Sequence, residues 1–274
     1  WLLITLKSGL SANEEKRLYL RYGDSFIRQT SNSTLSIDEA ADSIIVNTGA
    51  LKFSIGKNEF YLFDNIWLDK NSDGQFDNSE IISSKVDLVL VHSGIKYYSH
   101  LDKDYTLSLE EKGPIRTCLK AKGWFVSEKG DRFCQFVVRI YAFAGSSALK
   151  VQHTFIYTGY PENNLHYLYK EKRMPKNENI SAIYLQAPIK VKESSKFTFS
   201  ADNQIIQGEL NGITAFLQKE ANSYEIVRNG QRINSGNQLR GWIDLSDGEP
   251  GISLGVKNFF EQFKDLISIV PWPA

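Results

Sequence analysis

Apolar and polar residues alternate along most of the chain, in short segments separated by turn formers. The segment Leu51-Lys52-Phe53-Ser54-Ile55 is typical, because every second side chain is apolar, as in a strand with one buried face. The other segments of this kind are 86–91, 115–124, 133–143, 149–157, 180–186, 205–210 and 251–256. Helical spacing is found in the segment 258–267. The pattern predicts an all-β protein, a large antiparallel β-sandwich whose stacked sheets cover each other's apolar faces.

The polar segment 29–39 is rich in turn formers and poor in large hydrophobic residues, so it predicts a domain boundary near residue 40. The expected domains are therefore residues 1–40 and residues 41–274. A second polar segment, 160–179, is expected to line a surface or to be mobile.

The composition is that of a globular protein and argues against a nucleic-acid partner and a membrane-spanning helix. The chain has 274 residues, of which 42% are hydrophobic, and 32 basic residues balance 32 acidic ones. A neutral chain gives no reason to expect nucleic acid, and no apolar run approaches the roughly 20 residues of a membrane helix. The opening residues lack a signal peptide, so we expect either that a signal has been removed or that this is an internal fragment.

The two cysteines, Cys118 and Cys134, flank a predicted hairpin turn at residues 128–131. Counting outward from that turn places Cys118 opposite about Tyr141 and Cys134 opposite about Phe125, too far apart for a disulfide. The sequence therefore predicts two buried, reduced thiols and leaves the compartment undecided.

Residues 69–80 match the twelve-position calcium loop at every ligand position. The expected ligands are Asp69, Asn71, Asp73, Gln75 through its backbone carbonyl, Asp77 directly or through water, and Glu80 with both carboxylate oxygens. Gly74 occupies the sharp turn, and Phe76 is expected to be an apolar anchor. A hard dication needs six to eight oxygens, and carboxylates this close would repel each other without one. The alternative is a solvated polar turn between strands.

The segment that follows the loop is rich in β-branched residues and predicts a strand rather than the second helix of a calcium sensor. No second loop of this type occurs in the sequence. Calcium is therefore expected to pin a connection between strands.

Other candidate chemistry is sparse. His92, His100, His153 and His166 lack zinc-like spacing, and neither a nucleophile elbow nor a phosphate-binding glycine loop is present. Arg139 and His153 lie on successive predicted strands at facing positions, either as a carbohydrate-binding pair or as a structural pair. The side chains of Trp124, Trp242 and Trp272 are able to stack on sugars, with core packing as the alternative.

Several phrases together resemble the exo-rhamnogalacturonan lyase-like family of bacterial polysaccharide lyases. Residues 1–4 and 16–23 look like the last strands of that family's N-terminal barrel, and residues 47–53 look like the start of its central β-sandwich. The resemblance thus implies that residues 1–40 are the C-terminal strands of an N-terminal β-barrel domain and that residues 41–274 are the central β-sandwich domain. It also implies a secreted or periplasmic protein. The remaining phrases are 113–116, 123–124, 138–145, 153–155, 241–248 and 271–273. These sequence segments resemble strands and turns of that family, so they specify the fold better than the reaction.

The resemblance implies β-elimination next to a uronate carboxylate, which needs a group that neutralises the carboxylate and a base that takes the C5 proton. Arg139, His153 and Trp242 are nominated as substrate-binding residues, and no catalytic residue is assigned. The family's catalytic part is an α/α toroid, which this chain does not reach by Ala274, so we expect the chain alone to be inactive and a C-terminal helical domain to follow.

Two functions from different classes stay open at this point. The first is the β-sandwich portion of a polysaccharide lyase that acts on acidic glycans. The second is a non-catalytic, calcium-stabilised carbohydrate-binding or cell-surface adhesion module. Paired helices in a longer protein would favour the enzyme, whereas further β-modules or an anchor would favour adhesion.

Overall fold

The computed structural model describes residues 33–158, 180–189, 195–246, 251–259 and 266–269, together with residues 6, 8–20, 23 and 261. Strands make up most of the described chain, and one 3₁₀ turn, Asn78–Glu80, is the helical element among these residues. The strands are β1 Ser36–Glu39, β2 Ser43–Asn47, β3 Leu51–Gly56, β4 Phe63–Leu68, β5 Ile81–His92, β6 Ile95–Tyr98, β7 Thr106–Lys112, β8 Arg116–Ser127, β9 Arg132–Phe143, β10 Leu149–Ile156, β11 Ile180–Gln186, β12 Lys196–Ala201, β13 Gln204–Glu209, β14 Thr214–Glu220, β15 Ser223–Arg228, β16 Gln231–Gly236, β17 Leu239–Ser246, β18 Ile252–Gly255 and β19 Leu266–Ile269.

The chain forms two compact units, Trp1–Pro188 and Ile189–Ala274. Each unit has its own apolar core. The sequence pattern does not predict a division at this point, and the domain boundary near residue 40 stays a prediction. β1 pairs with β2, from Ser36 opposite Asn47 to Glu39 opposite Ile44, so the sandwich starts ahead of residue 40.

The first unit is one continuous antiparallel sheet that runs in the order β1-β2-β3-β4-β5-β6-β8-β9-β10. β11 pairs with β5, and β7 pairs with β8. The first residues of β5 pair with β4, and its last residues pair with β6 and β11. β5 therefore belongs to two halves of the sheet, one that runs from β1 to β5 and one that runs from β5 to β10. This sharing allows the two halves of the sheet to cover each other's apolar side chains.

Aromatic side chains fill the core of the first unit. The rings of Phe60 and Phe136 stack with centroids 5.1 Å apart, and both residues are fully buried. Phe125 meets Phe136 edge to face at 5.4 Å, and Phe53 meets Phe63 in the same way at 5.3 Å. Such pairs add about 0.5–1.5 kcal/mol to the burial of their area, so they contribute strongly to holding the layers together.

Thr48, in the turn between β2 and β3, is fully buried and joins that turn to the turn after β9. Its hydroxyl donates to the carbonyl of Ser146 at 2.7 Å, and its own carbonyl accepts from the backbone of Gly145 at 2.6 Å. Gly49 next to it has φ +94°, and a Cβ there would lie 2.7 Å from Thr34 Cβ. The turn therefore depends on both Thr48 and Gly49.

The second unit contains two four-stranded antiparallel sheets, β13-β12-β17-β18 and β16-β15-β14-β19. Phe197, Phe199 and Phe216 form an aromatic cluster in its core, with ring centroids 4.9–5.9 Å apart. Gln218 is fully buried, and its amide donates to the carbonyls of Glu220 and Asn237 while its oxygen accepts from the Leu239 backbone. The polar side chain is tolerated because its hydrogen bonds are made.

The all-β, antiparallel prediction is confirmed, and each predicted strand segment coincides with a strand. The predicted helical segment 258–267 is wrong where the structure describes it. Residues 257–259 form a turn in which Asn258 has φ +59° and Phe259 is buried, and Leu266 and Ile267 belong to β19. The apolar residues there serve a buried turn and a strand rather than one helical face.

Cys118 and Cys134 are both buried thiols, as predicted. Cys118 lies opposite Tyr141, and Cys134 lies at a bulge in the pairing of β8 and β9. Described residues 8–20 contain no strand, whereas residues 1–5 and 21–22 of the expected barrel lie outside the described part. The loop 160–179 and the phrase 271–273 also lie outside it. In the part of the chain that the structure describes, no helix has the length and apolarity to cross a membrane.

Candidate metal loop and glycan-contact residues

The loop 69–80 connects β4 to β5 and is folded around its own side-chain oxygens. The Asp69 carboxylate accepts from the backbone of Asp73 at 3.1 Å and of Gly74 at 3.0 Å. Asp73 in turn accepts from the backbone of Gln75 at 2.7 Å. Ser72 and Gly74 have positive φ, +61° and +75°, which bends the chain sharply. These bonds hold alternate side chains toward the inside of the loop.

Glu80 closes the loop from its C-terminal end. The residue is 5% exposed, and its carboxylate accepts from the backbone of Lys70 at 3.0 Å and of Asp77 at 3.3 Å. Asp77 accepts from the backbone of Ser79 at 2.7 Å and caps the 3₁₀ turn. The Ser79 hydroxyl and backbone hold the pKa of Asp77 below its usual value. Both ends of the loop are thus fixed by carboxylates.

Lys52 on β3 reaches the loop, a contact that the sequence analysis missed. Its ammonium donates to the carbonyl of Phe76 at 3.3 Å and lies 4.4 Å from the ring centre of Trp67 and 5.1 Å from that of Phe76. Burial lowers the pKa of Lys52, while the negative charge of Glu80 opposes that shift. A protein cation therefore already neutralises part of the loop's charge.

The donor set suits a hard cation, because it consists of carboxylate, amide and carbonyl oxygens. Within the described residues no three His, Cys, Asp or Glu side chains converge on one point in the way of a metal cluster. The loop's carboxylates bond to its backbone in this conformation. The predicted ligands are therefore held in one loop, and calcium at this loop stays a prediction.

Arg139, nominated for substrate binding, lies on β9 in an ion pair with Glu110 of β7. The guanidinium bonds the carboxylate through two nitrogens at 2.6 and 3.0 Å, and Lys120 of β8 lies 3.0 Å from the same carboxylate. Hydrogen bonds from Arg139 and then from Lys120 lower the pKa of Glu110 to about 2. Glu110 therefore stays charged through the ordinary pH range, with two cations on one anion.

His153, also nominated, is a core-facing side chain. It lies opposite Val138, and its ring meets Phe125 edge to face with centroids 6.2 Å apart. Burial lowers the pKa of His153. Its Nε2 is buried and finds no hydrogen-bond partner among the described residues. This environment favours the neutral imidazole.

The expected contact between Arg139 and His153 is wrong. The register places Gln152 opposite Arg139 and Val138 opposite His153. Because successive strand residues point to opposite faces, Arg139 lies on the outer face and His153 on the inner face. The two side chains are not retained as one site.

Trp242, the third nominee, lies on β17 in the second unit and is half-buried. It lines a small cavity together with Phe199, Phe216 and Phe259. The neighbouring Gly241 has φ +71°, and a Cβ there would lie 2.3 Å from Phe259 Cβ, so the backbone approaches that ring closely. Packing therefore accounts for the position of Trp242, and its contact with a sugar stays a prediction.

The structure also joins two residues that the sequence kept apart. The Nδ1 of His100 lies 2.5 Å from the Asp87 carboxylate, which is buried in β5 and accepts from the Ser99 hydroxyl at 2.7 Å. The His100 ring stacks on Tyr61 with centroids 4.7 Å apart and an angle of 5°. The contact could not be seen in the sequence because it depends on how the turn after β6 lies against β5, where the Ser99 backbone donates to the carbonyl of Leu88.

A family model matches part of the chain. Residues 35–166, just under half of the chain, match the family model described as PcRGLX-like protein central beta sandwich domain. No curated protein matches the chain. The matched segment begins just before β1 and ends after β10, so it covers the calcium-type loop, Arg139 and His153. The family resemblance drawn from the sequence is confirmed over these residues.

Proposed function

From the premise that residues 35–166 are a PcRGLX-like central β-sandwich domain, we propose that this chain is the β-sandwich portion of a carbohydrate-active enzyme. The enzyme is a polysaccharide lyase of bacterial origin that cleaves uronate-containing glycans by β-elimination. The family match carries this proposal, and the rhamnogalacturonan lyase resemblance supplies the substrate class. The protein works outside the cytoplasm, where such polysaccharides are met.

The lyase chemistry belongs to a part of the enzyme other than the described residues. Elimination needs a base next to the uronate and a group that neutralises its carboxylate. Neither nominee offers that pair, because Arg139 is held by Glu110 and His153 faces the core. The described residues contain no array of paired helices, which is the catalytic element that the family resemblance implies.

We further propose that the loop 69–80 holds Ca²⁺ with a structural role. The ligands are Asp69, Asn71, Asp73, the carbonyl of Gln75, Asp77 and Glu80. When bound, the ion supplies positive charge that offsets the loop's four carboxylates and fixes the connection between β4 and β5. Lys52 and the hydrogen bonds from the backbone to Glu80 support the loop both with and without bound calcium.

The experiment that tests the proposal measures both binding and cleavage by the purified chain. Affinity electrophoresis in gels that contain rhamnogalacturonan, with gels of neutral galactan as control, should show retardation with the acidic polymer alone. Cleavage is followed by the ultraviolet absorbance of the unsaturated uronate that elimination produces, and no increase is expected. Equal mobility in both gels would contradict the acidic-glycan proposal, and a clear increase in absorbance would contradict the placement of catalysis elsewhere.

A further inference from the structure

The outer face of β7, β8, β9 and β10 is a broad polar surface. The inner positions of β9 are fully buried at Val138, Ile140 and Ala142, whereas the alternating positions Arg139 and Tyr141 are partly exposed. Strand spacing and rise give this face a width of about 14 Å and a length of about 20 Å. We call it the basic face, for the cations described next.

Positive charge exceeds negative charge on the basic face. Its cations are Arg116, Lys120, Lys122, Arg139 and Lys150. Its carboxylates are Glu110, bonded to Arg139 and Lys120, and Glu111, which Arg116 bonds through two nitrogens at 2.7 Å. Five cations against two carboxylates are a local excess of three positive charges in a chain whose net charge is zero.

Two of these cations are available to a ligand. Lys122 and Lys150 are exposed, and no carboxylate among the described residues forms an ion pair with either. Lys122 lies between Lys120 and Trp124 on the outer side of β8. The Lys150 ammonium lies 5.3 Å from the ring centre of Tyr141.

Aromatic rings lie near both ends of the same face. Tyr141 pairs across the strands with Cys118, and Trp124, six residues further along β8, is half-buried on the same side. Tyrosine and tryptophan combine apolar contact area with a polar group. Polar side chains occupy positions between these rings, among them Gln152, which lies opposite Arg139.

We propose that the basic face is the surface on which this chain binds an acidic, uronate-containing glycan, with Lys122 and Lys150 contacting the glycan carboxylates. The inference rests on the proposed function for the class of ligand and on charge complementarity for the position. Ion pairs with Glu110 hold Arg139 and Lys120 in place, and an ion pair with Glu111 holds Arg116 in place. The two unpaired lysines supply the mobile contacts.

The test is the double variant Lys122→Glu/Lys150→Glu, compared with Lys96→Glu/Lys196→Glu. The control changes the same charge at two other exposed lysines, neither of which forms an ion pair with another described residue. Binding of oligogalacturonate is measured by titration calorimetry at low and at raised sodium chloride. We expect about a tenfold or larger loss of affinity for the first variant and no change for the control. Wild-type binding should weaken with salt more steeply than binding by the first variant.

Each outcome has a distinct meaning. If the wild type binds oligogalacturonate and Lys122→Glu/Lys150→Glu binds it equally well, the basic face is excluded while the proposed function stands. If the wild type does not bind the acidic ligand, both proposals fall. Melting temperatures should match that of the wild type. If the double variant melts lower, Lys122→Gln/Lys150→Gln replaces it. The glutamine variant must then show a measurable loss of affinity that is smaller than the loss caused by charge reversal.

Discussion

Individual oxygens of the loop 69–80 are expected to decide calcium affinity. Calcium at about 100 times its Kd should add roughly 2.7 kcal/mol to the free energy of unfolding, because it binds the folded state alone. Asp69→Ala or Glu80→Ala removes a ligand at one end of the loop and should abolish most of that increment. Differential scanning calorimetry with calcium and with chelator measures it.

Lys70→Ala is the matched control, since the Lys70 side chain is exposed and its backbone alone bonds Glu80. It should keep the full increment. Glu80→Ala should also lower the melting temperature in chelator, because Glu80 holds the backbone of Lys70 and Asp77. An identical melting temperature of the wild type with calcium and with chelator, without a heat of binding, would reduce the loop to a polar turn.

His153 is expected to make stability depend on pH. Burial depresses its pKa below the ordinary 6.5, so the folded state disfavours the proton that the unfolded state accepts. Its contribution is therefore complete above about pH 6.5 and is lost as pH falls toward the folded pKa.

His153→Phe should flatten the fall in unfolding free energy between neutral and mildly acid pH, as measured by urea denaturation at several pH values. The ring can keep the contact with Phe125 without taking a proton. His100→Phe is an informative comparison, because His100 has a carboxylate partner and His153 lacks one among the described residues. An unchanged pH slope in His153→Phe would contradict this assignment.

Strand β8 requires glycine at one position. A Cβ at Gly123 would lie 2.7 Å from the Asp102 carboxylate and 2.8 Å from Cζ of Phe136. Gly123→Ala should therefore destabilise the fold by about 1–3 kcal/mol through overpacking. Gly255→Ala on β18 is the control, since nothing lies within 4 Å of its Cβ position. Chemical denaturation should separate the two variants, and equal stabilities would show that β8 adjusts without cost.

The strands could be predicted because alternation is a local property, and segment 180–186 coincides with β11. The register between strands was predicted less accurately than the strands themselves. The connection after β9 aligns Leu149 with Ala142, and a count that differs by one residue turned His153 to the wrong face. The helix predicted over 258–267 was wrong because Phe259 of a turn and Leu266 and Ile267 of a strand happen to follow helical spacing.

In the candidate site, too, the features that are local in sequence could be predicted and the contacts between strands could not. The loop 69–80 was visible in the sequence because all its ligands lie within twelve consecutive residues. Lys52 and Glu110 were not, since each reaches its partner across strands. β7, which carries Glu110, was not among the predicted segments, and its pairing with β8 shifts register between Leu109 and Glu111. Contacts of this kind follow from tertiary pairing rather than from local pattern.

At the scale of the whole molecule, the two compact units predict a fragment that folds alone. Residues 33–188 contain all the described core residues of the first unit, including Phe53, Phe60 and Phe136. We expect this fragment to unfold cooperatively and to keep the calcium-dependent rise in melting temperature. Far-ultraviolet circular dichroism and calorimetry check both points. A fragment that lacks a cooperative transition would show that the second unit is needed for folding.

The bond from Thr48 to Ser146 spans 98 residues of chain, and this has a consequence for how the protein folds. Bringing the two turns together requires closure of a long loop, an entropic cost that precedes the gain from the contact. Antiparallel sheets rich in such distant pairings fold on the timescale of milliseconds to seconds. The first unit is therefore expected to reach its native state slowly, with strand edges exposed to other chains during that interval.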